Sequence, residues 1–198
     1  MSVTSRPGGR TAAVRDAVLR AAADLLVESG LEGIELTAVA ERAGVGKSTV
    51  YRRWGSVPGL VADLLTDMAE TSSQRPSTGS LEADLLSAAK LIRRTLNDAR
   101  QGPLFKAIIA AATCDPITAE ALAGFYRKRL DEVSPVVADA IERGEAPVGT
   151  DPREAIRQLS APLYYRFLTD TRRLSTADAE RAVAVTMAAI GAGVFVTG

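Results

Sequence analysis

The segment AGVGKSTVYRRW, residues 43–54, concentrates cations and hydroxyls that could bind phosphate. Its Gly46-Lys47-Ser48 matches the end of a nucleotide-binding phosphate loop, which reads G-x-x-x-x-G-K-[ST] between a buried strand and a long helix. Glu41 stands where the first glycine would be, and its carboxylate would repel a phosphate. The residues before it are typical of a helix, and Gly55 soon follows. These features disfavour an ATP or GTP site, and a phosphate-loop enzyme is kept only as an alternative.

The same segment fits a helix-turn-helix, in which two helices pack at a steep angle. This motif needs a small residue where the helices cross, a glycine in the turn and an apolar residue facing back from the second helix. Ala40, Gly44 and Val50 satisfy these needs at separations of four and six residues. Gly44 adopts a positive φ at little cost, and Val45 is expected to pack into the turn. The spacing therefore predicts a helix-turn-helix.

The second helix of this motif would present a face of hydrogen-bond donors. Val50 and Trp54 are four residues apart, so both would point into the core. The outward side chains would be Lys47, Ser48, Tyr51 and Arg52, with Thr49 and Arg53 at the flanks. Such side chains bind DNA phosphates, and Lys or Arg can read guanine edges. A helix of this kind standing alone would be only a solvated basic face, but the turn before it favours DNA binding.

Residues 36–65, LTAVAERAGVGKSTVYRRWGSVPGLVADLL, resemble the DNA-binding segment of the tetracycline-repressor (TetR) family of bacterial regulators. The resemblance is specific over residues 11–70. It continues more weakly through the helical second part, as in APLYYRFL at residues 161–168. It implies an all-α fold with an N-terminal helix-turn-helix domain and a C-terminal domain for ligand binding and dimerisation.

The resemblance also implies DNA contacts for individual residues. The candidates for base edges are Lys47, Ser48, Tyr51 and Arg52, and those for phosphates are Thr37, Thr49, Tyr51 and Arg53. Two positions depart from the family pattern. Val57 replaces a lysine that grips a phosphate, so the start of the fourth helix would have to replace that contact. Gly46 replaces a capping serine, which would loosen the recognition helix slightly.

Composition excludes several kinds of chemistry. The chain has no histidine and one cysteine, Cys114, which rules out a catalytic Ser-His-Asp triad and a disulfide framework and leaves no zinc site or other cofactor to expect. Cys114 is expected to be a small buried hydrophobe. The uncharged segment 182–198 is too short and too weakly hydrophobic for a membrane span, so a packed helix is expected there. The start of the chain shows no secretory signal, and we expect a cytoplasmic protein.

Helical spacing recurs along the whole chain, and no alternating strand pattern accompanies it. About nine helices are predicted, near 11–29, 38–43, 47–54, 57–72, 81–100, 103–113, 116–143, 152–170 and 176–195. Thr37 and Ser56 are predicted N-caps. Ser134-Pro135 predicts a kink or a split inside one helix. The predicted organisation is a flexible basic arm at 1–10, a DNA-binding domain at 11–72 and an effector-binding and dimerisation domain at 73–198. For the arm, a DNA contact and a disordered tail are both open.

The resemblance implies that the second domain binds a small-molecule effector and forms a homodimer. Candidate ligand contacts are Leu104, Phe105, Ile108, Ile109, Phe125, Tyr126 and Tyr164, although an apolar stripe is also what a plain core requires. The last two long helices would pair across a two-fold axis. We therefore predict a dimeric repressor that binds a near-palindromic double-stranded DNA operator and is released by a small, largely apolar ligand. A helical ligand-binding protein without DNA binding is the other alternative.

Overall fold

The structure is a computed structural model that describes residues 9–70 and 78–197, with side chains from residue 11 onward. Within these residues the chain forms ten α-helices and no strand, which confirms the predicted all-α class. The helices are α1 (Gly9–Ser29), α2 (Leu36–Ala43), α3 (Lys47–Trp54), α4 (Val57–Glu70), α5 (Leu81–Asn97), α6 (Gln101–Ala112), α7 (Pro116–Val133), α8 (Pro135–Glu142), α9 (Pro152–Thr169) and α10 (Thr176–Gly191).

The chain divides into two compact units. The first comprises Met1–Thr71 with Pro103–Phe125, and the second comprises Ser72–Gly102 with Tyr126–Gly198. Most of the predicted N-terminal arm lies outside the described residues. The predicted division into functional domains at residue 72 stays a prediction.

In the first unit, α1 packs on α2 and α4, while α3 contacts both α2 and α4. The α1 side chains facing this core recur at helical spacing, and Val18, Ala22 and Leu26 are fully buried. They meet apolar side chains from the other helices. These include Val39 and Ala40 of α2, Val50 of α3, and Leu60, Val61 and Leu65 of α4. Full burial of a leucine side chain contributes about 1.5–3 kcal/mol, so this core holds three short helices that would not be stable alone.

The first turn of α2 differs from the prediction for Thr37. The helix begins two residues earlier, at Leu36, and its N-cap is Glu35 in an extended conformation. Leu36 is buried, which draws the helix start toward the core. The hydroxyl of Thr37 instead donates to the Glu35 carboxylate at 3.1 Å. Ser56 does act at the start of α4, where its hydroxyl oxygen accepts the N–H of Gly59 at 3.2 Å.

In the second unit, α10 packs on α5 and α9, and α8 packs on the same two helices. Its core includes Leu81, Leu85, Val137, Leu159 and Leu163. The linker between α9 and α10 is tied to the end of α5 by Asn97, whose amide group exchanges two hydrogen bonds with the backbone of Leu174, at 2.7 and 3.0 Å.

Capping explains where α10 begins and ends. Ser175 and Asp178 form a reciprocal capping box at its start. At its end, Gly193 takes a φ of 72° and the N–H of Val194 reaches back to Ala189. The helix therefore stops at Gly191, four residues before the predicted end at 195. Beyond it, Thr150 and Val196 form an isolated antiparallel bridge.

One further predicted boundary matches the structure, and two other local predictions differ from it. The predicted split at Ser134-Pro135 is confirmed, because α7 ends at Val133 and α8 begins at Pro135. The break after α5 comes at Asp98, which caps α6 through the N–H groups of Arg100 and Gln101, so Gly102-Pro103 lies inside the first turn of α6. Cys114 is exposed, and the expectation of a buried thiol was wrong because it lies in the turn after α6.

Candidate nucleic-acid interface

The turn between α2 and α3 has the geometry that the sequence predicts. Gly44 has a φ of 67° and a ψ of 30°, in the left-handed region. Its N–H donates to the carbonyl of Glu41 at 3.1 Å, and the N–H of Val45 donates to the carbonyl of Ala40 at 3.0 Å. These two hydrogen bonds form a Schellman motif, which is common where a helix ends at a glycine. Val45 is half-buried in the turn. The two helices are thereby held at a fixed angle.

The inner side of α3 is apolar and buried. Val50 is completely buried, Trp54 is buried one turn later, and Ala40 is completely buried on α2. A small side chain at Ala40 lets the helices approach closely. The burial of these three side chains determines which side of α3 faces outward.

The outer side of α3 carries the predicted donors. Lys47, Ser48, Tyr51, Arg52 and Arg53 are exposed, and Thr49 is half-buried. The guanidinium of Arg53 lies over the ring of Trp54, 5.1 Å from the centroid, so this cation is partly held by an aromatic face. Thr37 lies apart from this face, on the first turn of α2. One short helix thus presents three cations and three hydroxyls.

A polar network that sequence reasoning missed anchors α3 to its neighbours. The indole Nε1 of Trp54 donates to Oδ2 of Asp63 on α4 at 2.8 Å. The same carboxylate accepts from Arg15 on α1, with a shortest distance of 2.8 Å, and Arg15 also contacts Asp67 at 2.5 Å. Burial raises the pKa of Asp63, but the hydrogen bonds from Arg15 and Trp54 outweigh it and keep that pKa below its usual value. Asp63 is therefore a charged junction among three helices.

A second unpredicted contact lies at the start of α3. The ammonium of Lys47 lies 2.9 Å from Oε1 of Glu41 on α2, and both side chains are exposed. This hydrogen bond raises the pKa of Lys47 above its usual value. The sequence places Glu41 and Lys47 on either side of a predicted tight turn. Their contact can be identified only from the geometry of that turn.

The two departures from the family pattern can also be located. Gly46 is the N-cap of α3 in an extended conformation, and it has no side chain to accept from the first turn of the helix. Val57 begins α4 and is half-buried. Neither position supplies a charge toward a phosphate. At these two positions, contacts with a DNA phosphate would come from backbone N–H groups.

The local structure differs from that of a phosphate loop. Such a loop follows a buried strand, whereas Gly46-Lys47-Ser48 follows α2 and opens a helix of eight residues. Within the part of the chain that the structure describes, no cluster of three or more His, Cys, Asp or Glu side chains could hold a metal ion. The helices described here are also too short or too polar to cross a bilayer.

The predicted ligand contacts fall into two groups. Leu104, Phe105, Ile108, Ile109 and Phe125 belong to the first unit, and Tyr126 and Tyr164 belong to the second. In the first group, the rings of Phe105 and Phe125 are 5.7 Å apart. In the second, Tyr126 and Tyr164 meet edge to face at 5.4 Å, and burial raises the pKa of both phenols. Each group is a small aromatic cluster.

Comparisons with known proteins agree with this geometry. The model for "Bacterial regulatory proteins, tetR family" matches residues 18–64, and the model for "Tetracyclin repressor-like, C-terminal domain" matches residues 75–186. An uncharacterized HTH-type transcriptional regulator of Bacillus subtilis, YdeS, is 31% identical over 153 residues, or 77% of each chain.

Solved structures share the fold. The TetR family transcription regulator SCO0332 is 26% identical with a TM-score of 0.70, over 88% of this chain and 97% of that one. A complex of SmeT with triclosan is 22% identical with a TM-score of 0.68, over 94% of this chain and 96% of the other.

Proposed function

The chain belongs to the tetracycline-repressor (TetR) family of bacterial regulatory proteins, and on that premise we propose that it represses transcription as an operator-bound homodimer released by a small ligand. Its relatives are DNA-binding transcriptional regulators and not enzymes. A regulator of this kind acts on chromosomal DNA, and we propose that it works in the cytoplasm.

The observation that carries the proposal is the outer face of α3. Its Lys47, Tyr51 and Arg52 are exposed while Val50 and Trp54 are buried, so these donors are open to a partner. An α-helix fits the major groove of B-DNA, where Lys or Arg can bond the O6 and N7 acceptors of guanine. Ser48, Thr49 and Arg53 are proposed to bind phosphates beside them, and Thr37 to do so from α2.

The homodimer is supported by an unpartnered apolar face on the last two helices. On α9, Tyr165 is 69% exposed and Leu168 is 47% exposed. On α10, Val185 is 49% exposed, and the exposed Ala184 and Ala188 lie on the same side. Because α9 and α10 pack together, we propose that these side chains contribute to one face that a second copy would cover.

Two-fold symmetry sets the expected operator. The two copies of α3 would enter successive major grooves about 34–36 Å apart, or somewhat farther. Each half-site would then be read by the same residues in opposite orientation. The proposed operator is therefore a near-palindrome.

The proposed effector is largely apolar. Each unit contains one candidate pair: Phe105–Phe125, which is buried, in the first unit, and Tyr126–Tyr164, whose phenols also carry hydroxyl groups, in the second. A protein of similar fold, SmeT, has been solved as a complex with triclosan, which is aromatic and largely apolar. A coupling of about 1–3 kcal/mol between ligand and DNA would change operator affinity roughly 5- to 150-fold.

Selection from a pool of random duplexes tests the proposal. The wild-type protein should enrich near-palindromic sequences and bind them with two chains per duplex. Triclosan and other apolar aromatics that raise the melting temperature of the protein should then lower its operator affinity. Enrichment of no sequence, together with retained binding of such compounds, would instead favour a helical ligand-binding protein. Nucleotide binding that disappears with Lys47→Ala would favour the phosphate-loop enzyme.

A further inference from the structure

The ring of Trp54 is held in one orientation by its surroundings. Its Nε1 donates to Oδ2 of Asp63 at 2.8 Å. Asp63 is itself held by a two-point contact with Arg15, from Nη2 at 2.8 Å and from Nε at 3.1 Å. The ring is also buried, with 9% of the residue exposed. A buried indole has one donor, and here that donor points at a fixed carboxylate, so the ring has little freedom to rotate.

The next side chain along α3 rests on this ring. The guanidinium of Arg53 lies over the ring of Trp54, 5.1 Å from its centroid, although Arg53 as a whole is exposed. Within the part of the chain that the structure describes, the guanidinium makes no hydrogen bond and no ion pair. A cation–π contact uses no hydrogen-bond donor. Arg53 is therefore restrained in position while its N–H groups stay open to an acceptor.

We propose that Trp54 is a positioning residue that holds Arg53 in place for a DNA phosphate, in addition to its role in the core. This inference rests on the proposed function. A freely moving arginine loses rotamer entropy when a phosphate immobilises it. Arg53 loses less, because the ring already restricts it. A planar guanidinium that is restrained in this way suits the two-point recognition of phosphate.

The ring and a phosphate do not compete for Arg53. The ring attracts the cation through its π electrons, whereas a phosphate accepts hydrogen bonds from the N–H groups. Both contacts can exist in the same complex, so binding DNA does not require Arg53 to leave Trp54. Asp63 acts on Arg53 only through space, since its carboxylate accepts its hydrogen bonds from Arg15 and Trp54. The restraint therefore favours the DNA complex.

The test measures how Trp54 changes the contribution of Arg53 to DNA affinity. The wild type, Arg53→Gln, Trp54→Phe and the double variant are compared on the duplex that the wild type selects from a random pool. In the wild-type background, Arg53→Gln should lower affinity roughly five- to tenfold near 0.1 M salt and make the log–log salt slope shallower by about 0.9, as expected for one lost phosphate contact.

The same substitution should matter less in the Trp54→Phe background. Phenylalanine offers a weaker face to a cation and lacks the N–H that orients the indole. There Arg53→Gln should lower affinity by less than about threefold, because an unrestrained arginine contributes less to the complex. An equal effect of Arg53→Gln in the two backgrounds would overturn the inference.

Arg52→Gln is the matched control. Arg52 is the adjacent exposed arginine, and among the described residues it makes no ring contact, hydrogen bond or ion pair. Its substitution removes the same charge and should lower affinity equally in both backgrounds. If Trp54→Phe reduces the effect of Arg52→Gln as much as that of Arg53→Gln, then the core substitution disturbs α3 as a whole, and Trp54 has no separate positioning role.

Arg53→Lys tests the same contact without changing the core. It keeps the charge at an exposed position, but an ammonium lacks the planar fork of a guanidinium. Affinity for the selected duplex should fall by about two- to fivefold with an unchanged salt slope. Wild-type affinity in Arg53→Lys would overturn this inference while leaving the proposed function intact. Failure of the wild type to select any duplex would overturn the proposed function as well.

Discussion

The indole Nε1 of Trp54 donates a 2.8 Å hydrogen bond to Oδ2 of Asp63, and this bond joins α3 to α4. The carboxylate also binds Arg15 of α1. Three helices therefore meet at one charged group. The direction in which α3 presents its donors depends on this junction as well as on the buried Val50.

Replacing Trp54 with phenylalanine keeps an aromatic ring in the core and removes the donor to Asp63. Hydrogen bonds to charged groups contribute about 1.5–3 kcal/mol, so the free energy of unfolding should fall by at least that amount. Urea unfolding followed by circular dichroism measures it, because Trp54 is the single tryptophan and its fluorescence is lost. Tyr51→Phe, which removes an exposed hydroxyl, should leave stability unchanged. If Trp54→Phe is as stable as the wild type, the Trp54–Asp63 hydrogen bond does not stabilise the fold.

The low pKa of Asp63 predicts acid sensitivity. A carboxylate whose folded pKa lies below its unfolded value of about 3.9 stabilises the fold fully above that value. This contribution is lost as the pH falls through the folded pKa. Asp63→Asn should therefore be less stable than the wild type at pH 7, and the difference should shrink below pH 4. Melting temperatures of both proteins measured from pH 7 to pH 3 check this. A difference between them that does not change with pH would contradict a stabilising role for the charge of Asp63.

Val185→Glu should weaken the proposed dimer by placing a charge in the apolar face of α9 and α10. Light scattering should give about twice the chain mass of 20.8 kDa for the wild type and a value near one chain for the variant. Val27→Glu on α1 is the control, since Val27 is exposed to a similar degree in the first unit. A dimeric Val185→Glu would place the interface elsewhere.

The sequence predicted the elements of the DNA-binding unit because their signals are local. Gly44 ends α2 through its positive φ, and the four-residue step from Val50 to Trp54 defines the inner face of α3. Thr37 was misassigned as a cap because Glu35 and Thr37 both precede a plausible helix. The burial of Leu36 decided between them, and burial depends on tertiary packing.

The contacts that position the site could not be predicted from local pattern. Arg15 and Asp63 are 48 positions apart, and their pairing depends on how α1 crosses α4. Trp54 was predicted as core, but its indole donor had no visible partner in the sequence. The end of α10 was placed too late for a different reason. Its apolar residues continue past Gly193, which is the residue that stops the helix.

The central claim is that the outer face of α3 reads DNA, and the affinity of Arg52→Ala for the selected operator tests it most directly. Fluorescence anisotropy should show a loss of about 1–3 kcal/mol, roughly 5- to 150-fold, with relaxed preference at one position in each half-site. Lys90→Ala, which removes an exposed cation from α5, should bind the operator like the wild type. Equal operator affinity and unchanged sequence preference in Arg52→Ala would contradict the account.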